Sequence, residues 1–350
     1  MDILEKGALA DGRNYEVLRI VTPDPAVPEE IVRYFIASFG FDTWRKAVLD
    51  LTYWRLYFRE SLAGHLAPGV IDHHYILRVE GAFAGRLWFA YNPRTGRGNF
   101  GNVYTEPAFR RCGVMNVLMK HCMKDFQDSP AQQLCCASGN KFAVQSYLKH
   151  GFKLIYGGET GPLCLRKKGT FQEAEAEAFP GHEACTVREG TIGDQFECDK
   201  FLAVTAAWRN FAQRSFGLAA AIVDYRTAWQ EKLSGLGAVN VLCTPSGTVC
   251  AYAFALKLCG EDILEFRTHP EYPEHLPDLL RRTAADYGKL FDGAPVCAVP
   301  ETAALKTDAL RRAGARPAGG MEGAYILFRF DGIPEVSQEK TTMRNSAVKS

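Results

Sequence analysis

The pattern of apolar and polar positions predicts an α/β fold for the first half of the chain. Asn14–Thr22 alternates as a strand does, and two apolar runs separated by a Glu-Gly turn, Tyr75–Glu80 and Phe83–Tyr91, predict a hairpin. Helical spacing of apolar residues predicts one helix from Pro28 and another after Gly113. Further predicted elements are helices over Trp44–Phe58 and Lys141–His150 and strands over Asn99–Thr105, Gln133–Ala137, Phe152–Tyr156 and Leu163–Arg166.

The second half repeats this order of elements more faintly. Three strands, a helix, a strand, a helix and a closing strand are predicted between Val239 and Phe330, without clear residue identity to the first half. Each half is therefore expected to be a mixed, mostly antiparallel central sheet flanked by helices. We predict domains at 1–168 and 184–332, a small, acidic linker at 169–183 and a disordered tail at 333–350.

Composition and charge narrow the range of partners. The chain of 350 residues has 41 basic and 40 acidic side chains, so no overall field attracts nucleic acid or an anionic membrane. No apolar run is long enough to cross a bilayer, and the start does not resemble a signal peptide. The eleven cysteines include no C-x-x-C pair, which favours reduced thiols in a cytoplasmic protein and gives no indication of a metal site.

The segment after the third strand carries the candidate chemistry. A turn at Glu106-Pro107 is followed by Arg110, Arg111 and Gly113, where a helix is predicted to begin. Glycine lets the backbone bend sharply, and the first amides of a helix point outward without partners. Together with the two cations they would suit a diphosphate. A surface Arg-Arg pair beside an ordinary helix start is the alternative reading of this segment.

Residues further along the chain strengthen the phosphate interpretation. The segment resembles the first hallmark of the GNAT superfamily of acyl-CoA-dependent N-acyltransferases, R/Q-x-x-G-x-G/A, through Pro107, Arg110 and Gly113. Met115 departs from this hallmark, because Gly or Ala is usual at its position. The departure affects how closely CoA can pack against residue 115. The second hallmark is matched in order and spacing by Asn140, Ala143, Tyr147, Gly151 and Phe152.

The resemblance implies a role for each matching residue. The strand edge at Val103–Thr105 should bind the pantetheine arm of acetyl-CoA, in a gap that opens towards the strand Gln133–Ala137. The loop amides should hold the pyrophosphate, Asn140 should touch the pantetheine or thiol region, and Tyr147 should protonate the departing thiolate. The implied cofactor-binding residues are Val103, Tyr104, Thr105, Arg110, Arg111, Cys112, Gly113, Val114, Met115 and Asn140.

The sequence leaves the acceptor side open. The general base could be Glu106 at the strand end, a residue of the Asp72-His73-His74 run, or a chain of waters, and the amine could also arrive neutral. An aromatic cluster lies where this family builds its acceptor wall, although such a stripe is more often core. The cluster comprises Trp44, Tyr53, Trp54, Tyr57 and Phe58.

The corresponding turn of the second half, Thr268–Pro273, has no glycine. Its prolines remove amides that would face a phosphate, and Glu271 and Glu274 would repel one. The chain therefore resembles a tandem GNAT arrangement of the mycothiol-synthase type, with a second GNAT-like domain that does not bind CoA.

We expect an N-acetyltransferase that moves acetyl from acetyl-CoA to the primary amine of a small molecule by direct attack in a ternary complex. Cys112 lies at the phosphate end of the site, which disfavours a covalent acyl-enzyme. The alternatives are a non-catalytic acyl-CoA-binding or regulatory module and a protein acetyltransferase. The sequence assigns neither the identity of the amine nor an oligomeric state.

Overall fold

The computed structural model describes residues 1–37, 51–181, 184–201, 225–258, 260–321 and 325–330. Within these residues the chain forms two mostly antiparallel sheets, one of eight strands and one of seven, and each is flanked by helices. The predicted fold class, α/β with two such units in tandem, is confirmed. The predictions for Trp44 and for the tail from residue 333 concern positions outside the described residues.

The first sheet contains every strand predicted for the first half and one more at its edge. Its order is β1-β2-β3-β4-β5-β6-β8-β7, and only β5 and β6 run parallel. The strands are β1 (Asp2–Ala8), β2 (Asn14–Val21), β3 (Ile71–Val79), β4 (Ala82–Tyr91), β5 (Arg97–Thr105), β6 (Gln133–Ser138), β7 (Lys153–Leu154) and β8 (Gly161–Arg166).

Helices cover both faces of this sheet because alternate residues of its strands point to opposite sides. Helices α1 (Glu29–Ala37) and α2 (Leu51–Ala63) pack on the face that carries Ile76. Helices α3 (Val114–Asp128) and α4 (Lys141–Lys149) pack on the face that carries Phe89 and Phe100. We call these the α1/α2 face and the α3/α4 face.

The second sheet has the order β14-β15-β13-β12-β11-β10-β9, with β12 and β13 parallel. Its strands are β9 (Thr186–Glu189), β10 (Gly237–Cys243), β11 (Val249–Leu258), β12 (Glu261–Thr268), β13 (Val296–Pro300), β14 (Arg316–Met321) and β15 (Tyr325–Arg329). The segment predicted as a linker contains a helix, α5 (Phe171–Ala178), and the helices of this half are α6 (Tyr225–Leu233), α7 (Leu276–Gly288) and α8 (Ala304–Arg312).

The linker helix helps to join the two halves into one core. Thr170 and Glu173 cap α5 reciprocally, and the buried face of α5 belongs to an apolar cluster with members from both sheets. Across the junction, Arg97 of β5 lies 2.7 Å from the buried carboxylate of Glu197. The second half therefore packs directly against the start of β5. None of the helices in the described ranges is long and apolar enough to cross a membrane.

Candidate active site

Strand β5 changes direction at Asn102. Trp88 pairs with Gly101 and Arg86 pairs with Tyr104, so that one residue of β4 faces two of β5, which defines a β-bulge. Asn102 adopts a positive φ of 53°, a conformation that asparagine tolerates better than most residues. A bulge leaves backbone groups outside the ladder of strand hydrogen bonds, so β5 can offer such groups to a ligand.

Beyond the first residues of β5, the two parallel strands separate. The pairing of β5 with β6 ends at Asn99 and Cys135, whereas the strands themselves continue to Thr105 and Ser138. The resemblance implied this splay, and the structure confirms it. The edge formed by Val103, Tyr104 and Thr105 is consequently half-buried and unpaired with β6.

The loop after β5 presents amides to the end of that gap. Gly113 adopts φ 88° as the residue that starts α3, and Arg111 adopts φ 65°. The amide of Val117 donates to the carbonyl of Gly113 at 3.2 Å, so the three amides before it have no partner one turn back in the helix. The loop borders a cavity of about 310 Å³ lined by Thr105, Phe109, Arg110, Arg111, Gly113, Val114, Met115 and Asn116.

Gly85 of β4, which sequence reasoning missed, lets α3 start close to the sheet. A Cβ at this position would lie 2.6 Å from Cγ1 of Val114 and 3.1 Å from the carbonyl oxygen of Tyr104. A larger residue would push the first turn of α3 away from β5. The glycine therefore fixes where the first amides of α3 point.

Tyr147 lies on the α3/α4 face, against β5. Its ring meets that of Phe100 edge to face, with centroids 5.2 Å apart, and also contacts Phe152. Burial, reinforced by the nearby thiol of Cys136, raises the pKa of Tyr147 above its usual value. The phenol therefore keeps its proton at neutral pH and can still act as a donor.

Asn140 has a structural task that the sequence pattern did not reveal. Its side-chain oxygen accepts hydrogen bonds from the amides of Phe142 and Ala143, at 2.9 and 3.4 Å, and so caps α4. The cap orients the helix that carries Tyr147. Contact of Asn140 with pantetheine remains a prediction.

Asp72, one of the candidate bases, is completely buried. Its carboxylate accepts hydrogen bonds from the side chains of Thr22, Tyr57, Ser61 and Trp88. Burial raises the pKa of Asp72, and the hydrogen bonds oppose that shift. A carboxylate enclosed by these donors cannot reach an acceptor amine, so the structure gives Asp72 a role in packing.

The neighbouring histidines also lie in the core. The ring of His73 stacks on Phe89 with centroids 4.4 Å apart, and burial lowers the pKa of His73 to about 4. His74 is enclosed by Phe35 and Phe58, and burial lowers its pKa as well. Of the candidate bases, only Glu106 is half-buried, and the hydroxyl of Tyr104 lies 3.3 Å from its carboxylate.

The aromatic cluster on α2 is core within the described residues. Trp54, Tyr57 and Phe58 are all buried, and Trp54 packs edge to face on Trp88 at 5.6 Å. The Arg226 guanidinium of α6 lies 5.3 Å from the centre of the Trp54 ring. The cluster therefore contacts the second half of the chain. The side chain of Tyr53 lies outside the described residues.

Helix α8 of the second half resembles α4 in its length and in the glycine that follows it. Helices α4 and α8 both have nine residues, and each is followed two positions later by a glycine at positive φ, Gly151 at 90° and Gly314 at 93°. By this correspondence Leu310 occupies the position of Tyr147. The second half therefore lacks the phenol.

Two features distinguish the parallel pair of the second sheet from that of the first. Strands β12 and β13 share a single pair, Ile263 with Val296, and the side chain of Lys306 on α8 forms a buried ion pair with Glu265 at 2.8 Å. The turn after β12 packs against the linker, where Phe179 stacks on His269 at 4.2 Å. Both features favour the prediction that this half does not bind CoA.

Part of the chain matches a known protein family. Residues 32–152 match the model of the Acetyltransferase (GNAT) family. The matched residues include β5, the Gly113 loop and α4. No curated protein is a significant match.

Several solved structures align with less than half of the chain. They include PaiA N-acetyltransferase from Thermoplasma acidophilum in complex with coenzyme A (10% identity, 43% of this chain and 99% of that one, TM-score 0.32). An N-acetyltransferase from Staphylococcus aureus has 12% identity over 43% of this chain and 99% of its own, with a TM-score of 0.32. The GNAT domain of PAT from S. lividans has 13% identity over 46% and 96%, also with a TM-score of 0.32.

Proposed function

We propose that the chain is an N-acetyltransferase that moves the acetyl group of acetyl-CoA to a primary amine of a small molecule. The observation that carries this proposal is the gap between β5 and β6, which begins at Asn99 and has Tyr147 beside it and the Gly113 loop at its end. The gap can take an extended arm along the strand edge. The loop can take a diphosphate.

The chemistry is a direct transfer. The amine lone pair attacks the thioester carbonyl carbon, a C–N bond forms, and the C–S bond breaks as the tetrahedral intermediate collapses. Tyr147 gives its proton to the departing thiolate and regains one from solvent. The amine releases its proton to Glu106 or to water, because Asp72, His73 and His74 are held in the core.

Packing around β5 supports a small acceptor. The second half lies against the start of β5, where the Arg97 guanidinium is 4.3 Å from the centre of the Phe201 ring. Because the second half covers this part of β5, a small amine can reach the strand more easily than a lysine on the surface of a folded protein can. Glu197 and Phe201 thereby contribute to the wall of the proposed acceptor side.

Thiol release from acetyl-CoA in the presence of a panel of small primary amines tests the proposal. We expect amine-dependent release of CoA with formation of the N-acetyl product by mass spectrometry. CoA binding without transfer to any amine would instead indicate a regulatory acyl-CoA-binding module. Stoichiometric acetylation of a cysteine in the absence of amine would contradict direct attack.

A further inference from the structure

The turn between β1 and β2 lies beside the loop proposed to bind phosphate. The amide of Leu9 donates to the carbonyl of Arg13 at 2.9 Å, which closes the turn. The Arg13 guanidinium lies 4.8 Å from the centre of the Phe109 ring, and its Nη2 lies 3.6 Å from Sγ of Cys112. Arg13 thus contacts both ends of the segment from Phe109 to Cys112.

Asp11 fixes the orientation of this arginine. Its Oδ2 accepts from Nε of Arg13 at 2.9 Å and from Nη2 at 2.6 Å, and its Oδ1 accepts from the Arg13 amide at 3.2 Å. The carboxylate thus forms an ion pair with the guanidinium. The pair is therefore better suited to holding the loop than to attracting a distant anion.

The loop needs such a hold because its backbone is strained. Arg111 has φ 65°, which a non-glycine residue keeps only where its surroundings enforce it. Gly113 follows at φ 88°, so two left-handed residues set the direction of the first amides of α3. Arg13 contacts Phe109, two residues before Arg111, and Cys112, which lies between Arg111 and Gly113.

We propose that Arg13, oriented by Asp11, is a positioning residue that holds the Phe109–Gly113 loop in the shape that binds the CoA diphosphate. This inference rests on the proposed function, and it adds the β1–β2 turn to the machinery of the site. Arg13 acts through Phe109 and Cys112, without contacting the substrate.

Calorimetry and steady-state kinetics with Arg13→Met, Asp11→Asn and the control Arg59→Met test the inference. Arg59 forms an exposed ion pair with Glu29 at 2.8 Å, between α2 and α1. We expect Arg13→Met to raise the Kd and KM for acetyl-CoA by roughly 3- to 10-fold, the scale of one lost cation–π contact, at unchanged kcat. The KM for S-acetylpantetheine, which has no diphosphate, should not change, and Arg59→Met should resemble wild type.

Asp11→Asn separates a positioning role from a direct phosphate contact. Loss of the carboxylate should weaken acetyl-CoA binding if Arg13 holds the loop, whereas it should tighten binding if the freed guanidinium contacts phosphate. Tighter binding, or wild-type binding by both variants, would overturn the inference while leaving the proposed function intact. Failure of the wild-type chain to bind acetyl-CoA would overturn both.

Discussion

The ring of Tyr147 packs edge to face against that of Phe100, with centroids 5.2 Å apart and an interplanar angle of 83°. Phe100 follows Asn99, where the pairing of β5 with β6 ends. The proposed proton donor is thus fixed beside the opening of the gap by a residue of the strand that would bind the thioester. Helix α4 supplies the phenol, and β5 fixes its position.

Replacement of Tyr147 by Phe tests its role as an acid. We expect kcat to fall by about 10²- to 10⁴-fold, the usual contribution of a positioned acid, while the KM for acetyl-CoA stays unchanged. The ring contacts with Phe100 and Phe152 remain, so the unfolding temperature should change little. Full turnover by the variant at every pH would contradict the assignment.

The wild-type pH profile provides a second test of the same residue. Burial raises the pKa of Tyr147, so its phenol should stay protonated up to and beyond the ordinary tyrosine value of about 10. Turnover should therefore show no loss from tyrosine ionisation below about pH 10. A decline centred near pH 8 that disappears in Tyr147→Phe would show that the phenol ionises much earlier than its burial allows.

Substitution at Gly113 should weaken binding of acetyl-CoA through the backbone. The residue has φ 88°, and a Cβ there would meet no atom within 4 Å, so conformation and not space demands glycine. Gly113→Ala should weaken the binding free energy of acetyl-CoA by about 1–2 kcal/mol, which is roughly a 5- to 30-fold rise in its Kd. Gly113→Asn is the matched control, because asparagine tolerates this region, and it should bind more tightly than the alanine variant. Equal binding by both variants and wild type would refute the argument.

Asp72 should matter for stability and not for catalysis. Asp72→Ala leaves its donors without their acceptor, at a cost of about 1–3 kcal/mol in unfolding free energy. Asp72→Asn should keep kcat per folded molecule within about twofold of wild type, since a carboxylate buried in the core does not meet the amine. A loss of several orders of magnitude would restore Asp72 as a candidate base.

The pH dependence of stability has a definite sign at Asp72. Burial raises its pKa in the folded state, so the stability it contributes is fully present below the unfolded pKa of about 4 and is lost as the pH rises through the folded pKa. Urea unfolding should therefore show that the unfolding free energy of wild type exceeds that of Asp72→Asn by less at pH 7 than at pH 4. An advantage that grows with pH would contradict the direction of the shift.

The buried pair of Lys306 and Glu265 should stabilise the second half without affecting the CoA site. Lys306→Met removes the cation that pairs with the buried carboxylate of Glu265. Loss of one partner of a buried ion pair typically lowers the free energy of unfolding by about 3–5 kcal/mol. The double variant Lys306→Met with Glu265→Leu should recover much of that loss, since apolar replacements often match a buried pair. A double variant as unstable as the single one would argue against this account. Acetyl-CoA affinity should stay at the wild-type value in each folded variant.

Apolar periodicity and turn residues predicted most of the first sheet and its helices. They did not predict two edge strands, one in each sheet. Strand β1 lacks regular apolar alternation, and its polar positions pair across to β2, as Lys6 does with Glu16. Strand β14 contains Pro317 and two glycines, which local propensity assigns to a turn. Both strands form because a neighbouring strand is available, which is a property of the tertiary fold.

The candidate site was predictable where residue type alone determines geometry. Gly151 adopts positive φ, as its place just after the end of α4 favours, and Gly113 adopts positive φ in the sharp turn before α3. The burial of Asp72, the bulge at Asn102 and the contact of Arg13 with Phe109 depend on residues distant in sequence, so no local pattern indicated them.

The β5 edge and the Gly113 loop are proposed to form one acyl-CoA site per chain. Calorimetric titration of the whole chain with acetyl-CoA tests it most directly. We predict a single class of site with a stoichiometry of one. Absence of binding, or a stoichiometry of two, would contradict it.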